Sequence, residues 1–254
     1  MPLYNLRWSK YFFWDGRVLG LENQIFEPVR HSQEMGLDWN LAAARVANNP
    51  FYKLQFANVF PKQPIDSLRI VYAIAQFLTG LVSATSKYDS VILRQAAFSS
   101  TEYEGYELVN DMTKGNCMLC HVTDGNALGT NFDFSNNGLD STNNQGDFLD
   151  NGLALVTHQK KDKGRFKTPS LRNIFFTAPY MHDGRFKTIA EVLNFYSEKI
   201  TYNPFIDNKI ANPHQGGQRL TTQEKEKIID FLKTMTDWSF QQNPRFANPY
   251  KKGK

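Results

Sequence analysis

The chain has 254 residues, 41% of them hydrophobic and 21% charged, which marks an ordinary globular protein able to bury one large core or two moderate ones. Its formal charge is only +4, and apart from a terminal KKGK the basic residues are scattered, which argues against nucleic acid or a membrane surface as partner. The longest apolar stretch, Leu68 to Ala84, is 17 residues interrupted by Arg69 and Gln76, too short for a bilayer span.

In chain order, the first sixty residues are rich in aromatics, among them Trp8, Trp14, Trp39, Phe56 and Phe60, and read as core. The opening MPLYNLRWSK has neither the basic nor the apolar region of an export signal. Pro61 and Pro64 punctuate a loop. From Asp66, Leu68, Val71, Ala75, Leu78 and Leu81 recur at helical spacing and predict a long amphipathic helix ending before Lys87. Thr101 and Glu104 have capping-box spacing and predict a second helix running toward Met112. Asp124 to Arg165 is dense in Gly, Asn and Asp, whose side chains and turns compete with helix, so a long irregular segment is expected. Within it DFSNNG, Asp133 to Gly138, looks like the start of a calcium loop, but the twelfth position is Asn144 rather than Glu, and the match is set aside. Thr188 with Glu191, and Thr221 with Glu224, predict two more capped helices. Their apolar faces are Ile189, Val192, Leu193 and Tyr196, and Ile228, Phe231, Leu232 and Met235. Strand signals are scarce, so the expected class is mainly α with long loops.

The chemistry concentrates in GNCMLCHVTDG, Gly115 to Gly125, which holds both cysteines of the chain, Cys117 and Cys120, and His121 directly behind them. C-x-x-C-H lets two thiols on one turn form thioethers with the vinyl groups of a haem while the imidazole reaches the iron. A structural zinc site wants four N/S ligands and no further cysteine exists, while a redox dithiol wants a βαβ setting that an α-rich chain does not offer. The occupant of the iron's sixth site decides the chemistry. Spacing alone points to Met181 or His182 in PYMHDGR; Tyr196, on an apolar helix face, is another candidate, as is Met235, though such residues more often belong to a core.

Longer motifs carry a resemblance. RFKTPSLRN, Arg165 to Asn173, followed by TAPYMHDGRFKTIAEVLNFY, Thr177 to Tyr196, resembles the C-terminal haem domain of bacterial di-haem cytochrome c peroxidases and MauG-like proteins. LYNLRWSKYFFWDGRVLGLENQ, PVRHSQEMG and KEKIIDFLKTMTD resemble further segments of that family, so nearly the whole chain is covered. The resemblance implies two α-helical cytochrome c-like domains: residues 1–95 as the remainder of an N-terminal, peroxide-reacting domain and residues 96–254 as the C-terminal haem domain. It makes Cys117, Cys120 and His121 the haem attachment and proximal ligand, and it puts Tyr196, rather than Met181, where the family's sixth ligand falls. Peroxidases of the family carry Met there and the MauG-like branch Tyr. A phenolate is a hard anionic donor that favours oxidised iron, so Tyr196 leans toward MauG-like oxidation of a protein substrate. Trp14 resembles the tryptophan between two haems, and Glu34 the acid that moves a proton during peroxide cleavage. Thr177 and Pro179 resemble positions whose main-chain carbonyls bind Ca²⁺. Lys167 and Arg172 offer cations for the haem propionates.

The family has two C-x-x-C-H motifs and this sequence has one. The expectation is therefore a piece of a longer, exported, periplasmic protein, since thioether attachment belongs to an oxidising compartment. Its expected function is peroxide reduction with electrons passed through the C-terminal haem, with hydrogen peroxide and a small electron-donor protein or a protein substrate as partners. The family also leaves room for a homodimer. A mono-haem electron carrier without its own catalysis, and a haem-less scaffold with free thiols, are the competing readings.

Overall fold

A computed structural model describes residues 2–123 and 128–248, so the last two residues of the GNCMLCHVTDG motif and the start of the expected irregular segment lie outside it, as does the KKGK tail. The described residues pack as two units. One comprises Leu3–Phe12 and Val18–Val82, the other Phe13–Arg17 and the described residues from Ser83 onward. The border at Val82/Ser83 falls ahead of the 95/96 division expected from the sequence.

In the first unit Tyr11–Phe12 (β1) pairs antiparallel with Val18–Leu19 (β2). Four helices follow: Leu21–Arg30 (α1), Trp39–Asn48 (α2), Pro50–Val59 (α3) and Ser67–Gly80 (α4). Their starts are written locally. Asp38 accepts from the amides of Asn40 and Leu41, Asn49 from that of Phe51 with Pro50 in the first turn, and Asp66 from that of Arg69. α4 is the amphipathic helix expected from Asp66 onward and buries Val71, Ala75 and Leu78 against α1. The aromatic run read as core is only partly so. α2 and α3 bury none of their residues, and Leu41, Phe51, Tyr52, Leu54 and Val59 are exposed, because no further layer of this unit covers that face among the described residues.

The second unit contains Lys87–Ile92 (α5), Ser100–Asn110 (α6), Ala154–Thr157 (α7), Ile189–Glu198 (α8), Thr222–Thr234 (α9) and Trp238–Gln242 (α10), with a short antiparallel pair between Phe134–Ser135 (β3) and Phe166–Lys167 (β4). Capping boxes open α8 at Thr188/Glu191 and α9 at Thr221/Glu224, as their sequences predict. α6 differs: its box is Ser99/Glu102 rather than Thr101/Glu104, and it ends at Asn110. Glu102 also pairs with Lys87, Nζ to Oε2 at 2.5 Å, while Glu104 pairs with Lys227 of α9. α5 carries a further box, Ser86/Asp89, which its sequence also spells.

The core lies where α6 crosses α9, with Val109, Ile228, Phe231, Leu232 and Met235 packed on Ile189 and Leu193 of α8. Gly105 permits that crossing, since a Cβ there would lie 2.1 Å from the Lys227 carbonyl oxygen. Gly105→Ala is expected to lower stability by about 3 kcal/mol, the upper end for overpacking against backbone, read as a fall in the urea midpoint. No helix among the described residues is long and apolar enough to cross a membrane.

Candidate functional site

The C-x-x-C-H segment is bent by its own backbone. Gly115 donates its N–H to Leu108 O at 2.9 Å and sits so close that a Cβ would lie 2.4 Å from that oxygen, which anchors the segment to the end of α6. Asn116 adopts a left-handed conformation, φ 51°, and its side-chain amide donates to Lys209 O at 2.9 Å. The chain then enters a 3-10 turn, Cys117–Leu119, and the N–H groups of Cys120 and His121 both reach Cys117 O, at 3.2 and 2.9 Å. Two sulfurs and an imidazole thus come from a single turn. Both cysteines are free thiols and half-buried; Cys117 Sγ lies 3.4 Å from Gly115 O and Cys120 Sγ 3.9 Å from Ser135 Oγ. Burial pushes the Cys117 thiol up to about 12 and raises Cys120 as well. Neither is a thiolate at neutral pH, which is the wrong state for a redox dithiol. Among the described residues no group of three His, Cys, Asp or Glu could hold a metal ion.

His121 is preset as a ligand. Its Nδ1 lies 2.9 Å from Pro169 O and 3.3 Å from Gly129 O, two carbonyls that can only accept, so the ring proton sits on Nδ1 and the Nε2 lone pair is free. Burial lowers the His121 pKa and keeps the ring neutral. A neutral imidazole oriented through its second nitrogen, beside two thiols, is a donor set that fits haem c.

Tyr196 rises from the inward face of α8. Burial pushes its phenol up to about 12, a rise that the hydrogen bond from Asn137 opposes. Asn137 Nδ2 donates to Tyr196 Oη at 3.0 Å and lies 3.8 Å from Met181 Sδ. The structure therefore brings two of the four sixth-site candidates, Tyr196 and Met181, to one side-chain amide. Asn137 was missed by the sequence reading, which saw DFSNNG only as a failed calcium loop.

The remaining candidates are scattered. His182 is turned away onto Phe166, its ring stacked at 3.6 Å and 8°. Met235 is fully buried in the core cluster with Ile228, Phe231 and Leu232. Arg172 is also fully buried and forks onto Asp89, so it is not the propionate cation expected from the resemblance; its charge is already neutralised inside the unit. Lys167, on β4, is half-buried, and desolvation lowers its pKa to about 8. Its backbone N–H donates to Trp14 O at 2.8 Å, which ties half-buried Trp14 to the unit that carries the cysteines. Thr177 closes the 3-10 turn Ile174–Phe176 with its N–H and hydroxyl on Ile174 O, at 3.1 and 3.2 Å, and Pro179 is exposed two residues on. Glu34 belongs to the other unit, on an exposed turn after α1 where its N–H meets His31 O at 3.0 Å.

A mainly α chain with a C-x-x-C-H turn and a preset proximal imidazole has the fold and donor set of a haem c protein. Residues 1–97 match the family described as di-haem cytochrome c peroxidase. The methylamine utilization protein MauG of Paracoccus denitrificans is 29% identical over 89% of this chain and 67% of its own length. The cytochrome c551 peroxidase of Nitrosomonas europaea is 32% identical over 88% of this chain and 61% of its own. A solved MauG-like protein associated with microbial copper homeostasis superposes with a TM-score of 0.84 at 31% identity, covering 98% of this chain and 78% of that one. The chain belongs to the di-haem cytochrome c peroxidase and MauG-like family, whose members are oxidoreductases with haem c. It spans about two thirds of the length of the curated relatives it matches.

Proposed function

We propose that the chain is the haem-bearing C-terminal part of a di-haem oxidoreductase that uses hydrogen peroxide, with its two units corresponding to the remainder of an N-terminal cytochrome c-like domain and to a complete C-terminal one. The observation that carries this reading is the His121 ring, fixed through Nδ1 by Pro169 and Gly129 with Nε2 free beside Cys117 and Cys120. When bound, haem c supplies one-electron redox chemistry. Cys117 and Cys120 would tether it, and His121 and Tyr196 would ligate the iron. Lys167, partly desolvated, offers a cation to a propionate, whose negative charge would restore its own.

A phenolate from Tyr196 favours ferric over ferrous iron, which supports oxidation of a protein substrate over acceptance of electrons from a high-potential carrier. Trp14 would give charge an aromatic stepping point on the cysteine-bearing unit, Glu34 would move a proton during peroxide cleavage in a two-haem parent, and the carbonyls of Thr177 and Pro179 would hold Ca²⁺. Thioether formation assigns the protein to an exported, periplasmic compartment.

With one C-x-x-C-H motif, the purified chain is expected to show one covalent haem by intact mass and weak peroxide turnover with a reduced small cytochrome as donor. Turnover equal to that of a two-haem enzyme would sink the proposed division of labour. Tyr196→Met is expected to raise the midpoint potential and to speed reduction by that donor, because a neutral thioether stabilises ferrous iron relative to a phenolate. Stopped-flow reduction checks it.

A further inference from the structure

DFSNNG has a purpose in the structure that its calcium-like spelling hides. Asn136 is fully buried and fastens the turn from three sides: its Oδ1 accepts from Gly138 N at 3.0 Å and from Asn203 Nδ2 at 3.3 Å, and its Nδ2 donates to Lys163 O at 3.3 Å. Its own carbonyl accepts from Asp207 N at 2.9 Å. Gly138 takes φ 73°, a left-handed conformation, and a Cβ there would lie 2.7 Å from Ile200 Cγ2 and 2.9 Å from Thr201 O. Gly138 O in turn accepts from Thr201 N at 2.8 Å. The turn is thus bolted to the segment that leaves the C-terminus of α8, the helix that carries Tyr196. Asn137, between the two locked residues, has little freedom, and its amide nitrogen is delivered to Tyr196 Oη at 3.0 Å with Met181 Sδ 3.8 Å away.

We propose that Asn137 is a positioning residue for the sixth haem ligand: its amide N–H engages the Tyr196 oxygen and selects that oxygen over the Met181 sulfur lying against the same nitrogen. The proposal rests on the reading of Tyr196 as the sixth ligand and adds what makes that choice. An amide N–H is a good donor to oxygen, whereas a thioether sulfur is a weak acceptor. The amide therefore favours the Tyr196 oxygen and leaves the sulfur as a reserve ligand.

The test uses the chain loaded with haem in a host that attaches it to C-x-x-C-H, read by ferric absorption and by midpoint potential. Asn137→Leu removes the donor at near-constant size. It is expected to move the phenolate-to-iron charge-transfer band to longer wavelength and to lower the midpoint potential, because a phenolate without its donor is more electron-rich. Asn137→Asp, close in shape, places a carboxylate against the phenolate; the band should disappear in favour of a sulfur-ligated spectrum, and Met181→Leu added to it should abolish that spectrum. Tyr196→Phe is the control for the underlying reading. If Tyr196→Phe changes the spectrum while both Asn137 variants keep the band and potential of the unaltered chain, Asn137 has no positioning role and the ligand assignment stands. If Tyr196→Phe leaves the ferric spectrum unchanged, Tyr196 is not the ligand and the proposal goes with it.

Discussion

A chain carrying Cys117→Ala and Cys120→Ala is expected to emerge from haem-attaching cells with no covalent haem, its intact mass equal to that of the bare polypeptide. The effect is all-or-none because a thioether needs a sulfur and the chain has two cysteines, both on this turn. Each single variant should retain one thioether, and therefore haem, because the second sulfur and the His121 ring are held independently. Cys120 and His121 hang from the Cys117 carbonyl through backbone bonds that the Ala substitution leaves intact, and His121 Nδ1 is fixed by Pro169 and Gly129. His121→Ala should separate attachment from ligation: the mass of one haem stays while the histidine-ligated ferric spectrum is lost. Haem retained covalently by the double variant, or an unaltered spectrum in His121→Ala, would remove this turn as the haem site.

What the sequence made legible follows the range of the forces involved. Capping boxes are encoded within four residues, and Thr188/Glu191 and Thr221/Glu224 open their helices as written. At α6 the box expected at Thr101/Glu104 forms instead at Ser99/Glu102, and the lysines that pair with the two carboxylates, Lys227 with Glu104 and Lys87 with Glu102, lie too far along the chain for a local rule to report. The C-x-x-C-H turn was equally local. Its second half was not, because the carbonyls that fix His121 come from Gly129 and Pro169, and a carbonyl has no identity in a sequence. Asn137 was invisible for the same reason: its 59-residue separation from Tyr196 is closed by a turn whose Asn and Gly residues spell flexibility when read alone. Arg172 shows the opposite failure. A family likeness suggested a propionate cation, and only the three-dimensional neighbourhood reveals Asp89 in front of it.

Arg172→Met is expected to destabilise the cysteine-bearing unit by about 3–5 kcal/mol, the cost of leaving one member of a buried ion pair uncompensated. The Arg172 side chain is 2% exposed and that of Asp89 10%. Nη1 lies 2.9 Å from Asp89 Oδ2, Nη2 bonds Oδ1, and Nη1 also reaches Ser83 O at 3.4 Å. Asp89 is at the same time the acid of the α5 capping box, accepting from Ser86 N at 2.8 Å and Ser86 Oγ at 2.7 Å. The pair sits in a wider knot, since Asn173 Nδ2 donates to Ser83 Oγ at 2.8 Å, its Oδ1 accepts from Asp237 N at 2.7 Å, and Ser83 Oγ donates to Asp237 Oδ2 at 3.0 Å. Residues 83–89, the RN of TPSLRN and the start of α10 are thereby fastened together, so loosening Arg172 releases three stretches of chain at once. Asp89→Leu added to Arg172→Met should restore much of the loss, because two apolar groups no longer strand a charge. Acid provides a second readout. Burial alone would raise the Asp89 carboxyl, but the Arg172 guanidinium and Ser86 outweigh it and hold it below its ordinary value of 3.8. The unfolded chain therefore binds this proton first, so the stabilisation is complete above about pH 3.8 and is lost as pH falls through the lower folded-state value. Arg172→Met should flatten that part of the acid-stability curve while lowering the whole curve at neutral pH. Urea midpoints between pH 7 and pH 2.5 decide the matter: a variant whose curve is merely displaced, with its acid slope intact, would show that the pair is not what holds the carboxylate ionised.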